Sequence, residues 1–384
     1  MIESNNTSKE RTVLAAVRLP RTGEEAIAAA LAELARLTET AGGEVVESVV
    51  ERRDSINPKT FIGTGQAAEL GHLAKSLDAD LIIFNDVLSP SQQGSLEDAT
   101  GVRVIDRTGL ILDIFARHAV SNEGVIQVEL AQSQYRLPRL RGRGIEMSRI
   151  GGGIGTRRGK GEQKLEIDRR RIQARIRHLK KELEHLAQVR QTQSKRRRRQ
   201  GIFEVCLVGY TNAGKSSLLN RLTGADALVE DKLFATLDST TRKLPLPLAK
   251  QNVVLSDTVG FIRDLPHELI AAFRSTLEGV READLLLNVV DVADPEWSNR
   301  IEAVETVLAE IGASDRPVMT VFNQTDRADV NVVNRLRNEY PDAAFVSAAT
   351  GAGLDGLTTV LAKTSRSGRA PKLVDVPQDS DNLS

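Results

Sequence analysis

The chain has one cysteine in 384 residues, one tryptophan and only 3% aromatic side chains. A lone Cys206 excludes an internal disulfide and any multi-cysteine metal site, and within the apolar run "FEVCLVG" it reads as a small buried hydrophobe. With so few aromatics, the cores must be mainly aliphatic, although 40% hydrophobic and 27% charged residues are ordinary for a globular chain. No apolar run reaches the ~18 residues that a membrane-spanning helix needs. The polar start "MIESNNTSKER" lacks a signal-peptide core, so a cytoplasmic location without membrane insertion is expected. Net charge is missing too, with 52 Lys and Arg against 52 Asp and Glu. Residues 139–199 nevertheless hold 21 Lys/Arg and 6 Asp/Glu, a net +15, which leaves −15 for the remainder. So basic a stretch suits a phosphate-bearing partner.

The length predicts two or three domains. Across residues 11–122, β-like runs ("TVLAAV", "EVVESVV", "DLIIF", "VRVID") alternate with helical patterns over 24–40, 65–76 and 90–100. Such alternation predicts a small N-terminal α/β domain with a mainly parallel sheet. Residues 123–199 predict a long antiparallel helical hairpin. Val128, Ala131, Tyr135 and Leu137 recur near helical spacing on its first arm, and Leu165, Ile172, Ile176, Leu179, Leu183 and Leu186 form a seam on its second. The second arm measures ~50 Å if residues 163–195 are helical. Between the arms, the glycine- and arginine-rich stretch 142–161 predicts a loop at the tip, and "SKRRRRQG" predicts a basic hinge after the hairpin. A second α/β pattern with clearer strands occupies 200–364, and the polar tail 365–384 is expected to be disordered.

That second α/β region carries the chemistry. "GYTNAGKS" at 209–216 follows a strand, precedes a helix and fits G-x-x-x-x-G-K-S. In this P-loop pattern the backbone of Gly209, Tyr210, Thr211, Asn212, Ala213 and Gly214 cradles phosphates. Lys215 reaches the β and γ oxygens, and the Ser216 hydroxyl binds magnesium, with Ser217 following on the helix. "DTVG" lies 41 residues beyond Ser216, where Asp257 can hold magnesium through water and the Gly260 amide can meet the γ-phosphate, with Thr258 and Val259 between them. "FNQTD" selects the base: the Asp326 carboxylate can accept both guanine N1–H and N2–H, a pattern adenine lacks, so the nucleotide should be GTP. Asn323 opens that motif, and Gln324 stands where a lysine is usual. "SAA" at Ser347, Ala348 and Ala349 would offer the Ala348 amide to guanine O6. Within "DKLFATLDSTTRKL" a threonine should close onto magnesium. Thr236, flanked by Phe234, Ala235, Leu237 and Asp238, is the first choice, with Thr240 and Thr241 as competitors. Phe261 follows the D-x-x-G glycine where regulatory GTPases carry a water-orienting glutamine. Phenylalanine cannot hydrogen-bond water, so hydrolysis needs another group or does not occur.

These motifs, together with "LFATLDSTTR", "DTVGFIRDLPHELIAAFRSTLE", "NPKTFIGTG", "VIDRTGLILDIFA", "QVELAQSQYRLPRL" and "GGGIGT", resemble the HflX GTPases of the Obg-HflX superfamily across residues 11–364. The resemblance implies a P-loop GTPase domain with a mainly parallel sheet, Mg2+ as cofactor, and GTP and GDP as substrate and product. It also implies a partner: the large (50S) ribosomal subunit or the 70S ribosome, with rRNA met through the basic hairpin. Members of the family can split stalled ribosomes. The superfamily replaces the catalytic glutamine by a hydrophobic residue, so Phe261 fits the pattern and slow turnover by the protein alone is expected. Arg157, Arg158 and Lys160 are the expected rRNA contacts, and a monomer is expected. An RNA-binding switch with little turnover is the alternative, and Asp326 disfavours an RNA-remodelling ATPase.

Overall fold

The computed structural model describes residues 9–140, 158–225, 233–234, 240–246, 252–263 and 277–367, with backbone alone for 158–164 and Arg198. The chain divides into two compact units, 1–184 and 185–384.

In the first unit, β1 (Glu10–Arg18), β2 (Gly43–Arg52), β3 (Leu81–Phe84) and β4 (Arg103–Asp106) form an all-parallel sheet in the order β2-β1-β3-β4. The crossovers are α1 (Glu24–Thr40), α2 (Thr64–Ser76) and α3 (Pro90–Thr100). Central strands covered on both faces must be apolar throughout, and β3 is buried at every position. Ser89 starts α3 with a capping box, its side chain accepting from the Gln92 amide while Gln92 accepts from the Ser89 amide.

The sheet ends at α4 (Arg107–His118), which leads into α5 (Asn122–Arg139). Asp106 joins these parts from a fully buried position. One oxygen accepts from the Gly109 amide at 2.9 Å and the Tyr135 hydroxyl at 2.8 Å. The other accepts from the Leu88 amide at 3.0 Å and Arg139 at 3.1 Å. Arg139 also donates to Leu88 O and Gln93 Oε1. It is therefore engaged within the fold, although the sequence counts it with the basic stretch.

Helices α5 and α6 (Arg158–Arg199) make the helical hairpin, joined by a two-pronged Arg175–Glu129 pair with both bonds at 2.6 Å. The expected seam lies on the less exposed side of α6, and Leu179 is fully buried. Two boundaries differ from expectation. The helix already includes Gly159 and Gly161, which the glycine-rich reading places in the loop; glycine costs only ~1 kcal/mol in a helix. It also continues through the supposed "SKRRRR" hinge, because Lys and Arg are good helix formers and no breaker intervenes before Gly201, whose φ of 67° ends it. At 42 residues, α6 is ~63 Å long. The rest of the glycine-rich loop, residues 142–157, lies outside the described residues.

The second unit holds a six-stranded sheet in the order β10-β9-β8-β5-β7-β6. Its strands are β5 (Phe203–Val208), β6 (Thr240–Leu244), β7 (Val253–Asp257), β8 (Leu285–Asp291), β9 (Val318–Asn323) and β10 (Ala344–Phe345); only β6 is antiparallel to its neighbour. Among the described residues its helices are α7 (Lys215–Thr223), α8 (Glu278–Glu282), α9 (Trp297–Glu310), α10 (Val330–Glu339) and α11 (Leu354–Ser367). One core is aliphatic apart from Phe203, as the composition predicts. The other gathers scarce aromatics: Trp297, Tyr340 and Phe345 pack on Phe322, the residue before Asn323. Helix α11 takes in the first three residues of the expected tail and buries Ser365; residues 368–384 lie outside the described residues. Burial pushes the Cys206 thiol pKa up, in keeping with an inert core cysteine.

Candidate functional site

Strand β5 lies between β7 and β8, so the chain leaves it toward one side of the sheet and later crosses to the other. Ligands of open α/β sheets bind at such a switch point, beyond the carboxyl ends of the strands. There "GYTNAGKS" runs from the end of β5 into the first turn of α7. Gly214 adopts φ 85°, and a Cβ on it would collide with the Asn323 side chain, so glycine serves both the turn and the close approach.

The predicted phosphate-side residues converge. Lys215 is 6% exposed and donates to the carbonyls of Gly209 at 3.1 Å and Tyr210 at 2.7 Å. Burial lowers its pKa to about 8, against an upward pull from Asp257. The Ser216 hydroxyl donates to Asp257 Oδ2 at 2.6 Å, and Asp257 Oδ1 accepts the Thr258 amide. Two hard oxygens held together in this way fit Mg2+, which is bound by one or two protein oxygens together with substrate phosphates. Thr211 is 2% exposed, and its hydroxyl has no hydrogen-bond partner among the described residues, leaving a polar atom for a bound group. A Cβ on Gly260 would sit 2.9 Å from the Thr211 α-carbon and 3.1 Å from Lys215 Nζ, so only glycine lets D-x-x-G approach the P-loop this closely.

Phe261 is fully buried. Its amide donates to Gly209 O at 3.1 Å and its carbonyl accepts from the Thr211 amide at 2.7 Å, so its backbone zips D-x-x-G onto the P-loop. The sequence shows the missing glutamine but not this pairing, which joins segments 50 residues apart. Next along the chain, the Arg263 amide donates to the Tyr210 hydroxyl at 2.8 Å, and the Arg300 guanidinium lies 4.6 Å from that ring's centre.

Thr236, Ala235, Leu237 and Asp238 lie outside the described residues, whereas Phe234 is described and buried. The two competing threonines are on β6. Residues opposite one another in an antiparallel pair share a face. Thr240 faces Asp257 in this way, whereas Thr241 bonds Ser256 at 2.9 Å on the other face. Only Thr240 of these two therefore shares the Asp257 side. Arg157 lies outside the described residues; Arg158 and Lys160 are in the first turn of α6, where backbone alone is described.

The base-side residues also meet. Asn323 Nδ2 donates to Ala213 O at 3.0 Å, and Asn323 Oδ1 accepts the Ala348 amide at 3.0 Å. Gln324 Nε2 donates to Asn212 O at 3.3 Å. Ser347 is buried and its hydroxyl accepts from the Thr350 amide at 3.1 Å, while Asp326 is exposed.

Three family profiles match consecutive segments: "GTP-binding GTPase N-terminal" over 28–116, "GTP-binding GTPase Middle Region" over 118–197, and "50S ribosome-binding GTPase" over 204–324. The GTPase HflX of Caldanaerobacter subterraneus subsp. tengcongensis is 51% identical over 91% of this chain and 79% of its own. The chain belongs to the HflX GTPase family. The Escherichia coli GTPase HflX is 43% identical over 86% of this chain and 78% of its own. A GTP-binding protein of Sulfolobus solfataricus, solved with GDP, is 26% identical over 92% of this chain and 99% of its own, at TM-score 0.44. Among the described residues, no helix of this HflX-family chain is long and apolar enough to cross a membrane.

Proposed function

We propose that this HflX-family GTPase is a monomer that acts in the cytoplasm on the large (50S) ribosomal subunit, alone or within the 70S ribosome, and splits or rescues stalled ribosomes. In this reading it hydrolyses GTP to GDP and phosphate at a rate set by docking. The burial of Phe261 carries the proposal. A side chain held inside the protein, on a residue whose backbone is bonded to the P-loop, does not orient water.

Lys215 reaches the β and γ oxygens, and the Gly260 amide meets the γ-phosphate. Ser216, Thr236 and Asp257 would hold Mg2+, which would supply neutralisation of the developing phosphate charge. On the base side, Asp326 accepts the two guanine N–H groups, and Ala348 shares its amide between Asn323 and O6. Phosphoryl transfer depends mainly on positioning and charge neutralisation, so a partner that orders the loops supplies what the missing glutamine does not. The basic hairpin supplies the rRNA-facing surface.

Co-sedimentation with 50S subunits in a non-hydrolysable GTP analogue, against GDP, tests the reading. The parent should pellet with subunits preferentially in the analogue. Replacing Arg157, Arg158 and Lys160 together by alanine should weaken pelleting and flatten its salt dependence by roughly 0.7 to 0.9 per lost contact. Equal behaviour of mutant and parent at every salt concentration would remove these residues from the interface. Phosphate release that stays negligible even with subunits would favour a binding switch over an enzyme.

A further inference from the structure

Gln324 stands where the guanine motif usually carries a lysine, and the structure contains a cation three residues further on. Arg327 NH1 donates to Gln324 Oε1, and the Arg327 amide donates to Gln324 O at 3.0 Å, closing a turn that brings the two side chains together. Gln324 takes φ 63°, uncommon outside glycine, and Thr325 is pinned through its amide and hydroxyl to Val346 O. We propose that Arg327 is a positioning residue of the guanine site, orienting the Gln324 amide so that it fastens the base loop to the phosphate loop.

The polarity of the amide is central. A lysine ammonium carries only donors and could bond Asn212 O in any rotation. A glutamine amide has a donor end and an acceptor end; reversed, it would set Oε1 against the Asn212 carbonyl, lone pair facing lone pair. An arginine has only donors, so it can hold Oε1 alone, and Nε2 is thereby turned toward Asn212 O. Asn323 is organised in the same way. The Ala348 amide holds its oxygen, and its nitrogen bonds Ala213 O, the next carbonyl of the same loop. Two neighbouring side-chain amides thus grip two neighbouring P-loop carbonyls, each oriented by a donor from elsewhere. The charge absent at residue 324 returns at residue 327. Arg327 also lies near Asp291, so a simple counter-ion role is the competing account.

This inference rests on the guanine-site reading, and the test separates the two. Dissociation of a fluorescent mant-GDP is followed by stopped flow in the full chain. Because Arg327 is exposed, Arg327→Ala should fold as the parent does. It should speed release about threefold to tenfold, the range of one hydrogen bond. Arg327→Lys, which keeps a donor, should recover much of the loss. In a Gln324→Lys background, where a lysine can bond Asn212 O unaided, Arg327→Ala should change release by less than about twofold. An unchanged rate in the single variant, or the same acceleration in both backgrounds, would overturn the inference. So would an Asp291→Asn variant that reproduces the whole effect. If Asp326→Asn also leaves mant-GDP release unchanged, the guanine-site reading itself fails; if Asp326→Asn accelerates release and Arg327→Ala does not, only the role of Arg327 falls.

Discussion

The two ends of the nucleotide site are built differently. At the guanine end, Asn323, Gln324 and Ala348 are tied to the P-loop and to one another by hydrogen bonds between fixed strand ends. At the phosphate end, Lys215, Ser216, Asp257 and Gly260 are gathered at the P-loop, but the residue that orients water in regulatory GTPases is replaced by a buried phenylalanine. On the proposed reading, base choice is contained in the chain itself, whereas the water-orienting part of catalysis is left to something outside this constellation. The proposed function would place affinity and specificity at one end and a partner-dependent rate at the other.

The largest effect should come from breaking the guanine end. Asp326→Asn removes a charged acceptor for two guanine donors and should weaken GTP binding, and selectivity over ATP, by roughly 1.5 to 3 kcal/mol. An unchanged calorimetric titration would contradict the guanine reading. Next comes Phe261→Gln at the other end. It buries an amide without a prepared partner and should lower stability by about 1 to 3 kcal/mol, read from the urea midpoint. Partner-free phosphate release should not rise; a large rise would mean that side-chain chemistry, not loop order, limits turnover. The smallest effect is one of pH. With the Lys215 pKa lowered to about 8, the lysine keeps its proton below that pH and binding is insensitive there. Above it, phosphates draw a proton back onto the lysine, so affinity should fall as pH rises, by at most about tenfold per unit. Proton uptake at pH 8.5, measured by calorimetry in buffers of differing ionisation enthalpy, checks the sign.

How much of this was legible in the sequence follows the same division between local and distant contacts. The central parallel strands could be read because strands covered on both faces become continuous apolar runs, as in β8. Strand β6, "TTRKL", could not: it is a mostly exposed edge strand with little apolar signal. The extent of α6 was hidden for another reason. Glycine and arginine runs suggest loops, yet a helix carried by its Leu and Ile seam absorbs them at both ends. In the site, Ser216, Asp257 and Asn323 are legible because motif spacing encodes their meeting. The Phe261 clamp and the Gln324 bond to Asn212 O are not, because their targets are backbone atoms of the P-loop, which any residue type supplies. The engagement of Arg139 by Asp106 was likewise invisible in a charge count.

The central claim, that the phosphate end is completed by docking, is tested most directly by single-turnover GTP hydrolysis with and without purified 50S subunits, at nucleotide concentrations that saturate the protein in both cases. The account predicts slow hydrolysis alone and a rate at least about tenfold higher with subunits. Equal rates in the two conditions would contradict it.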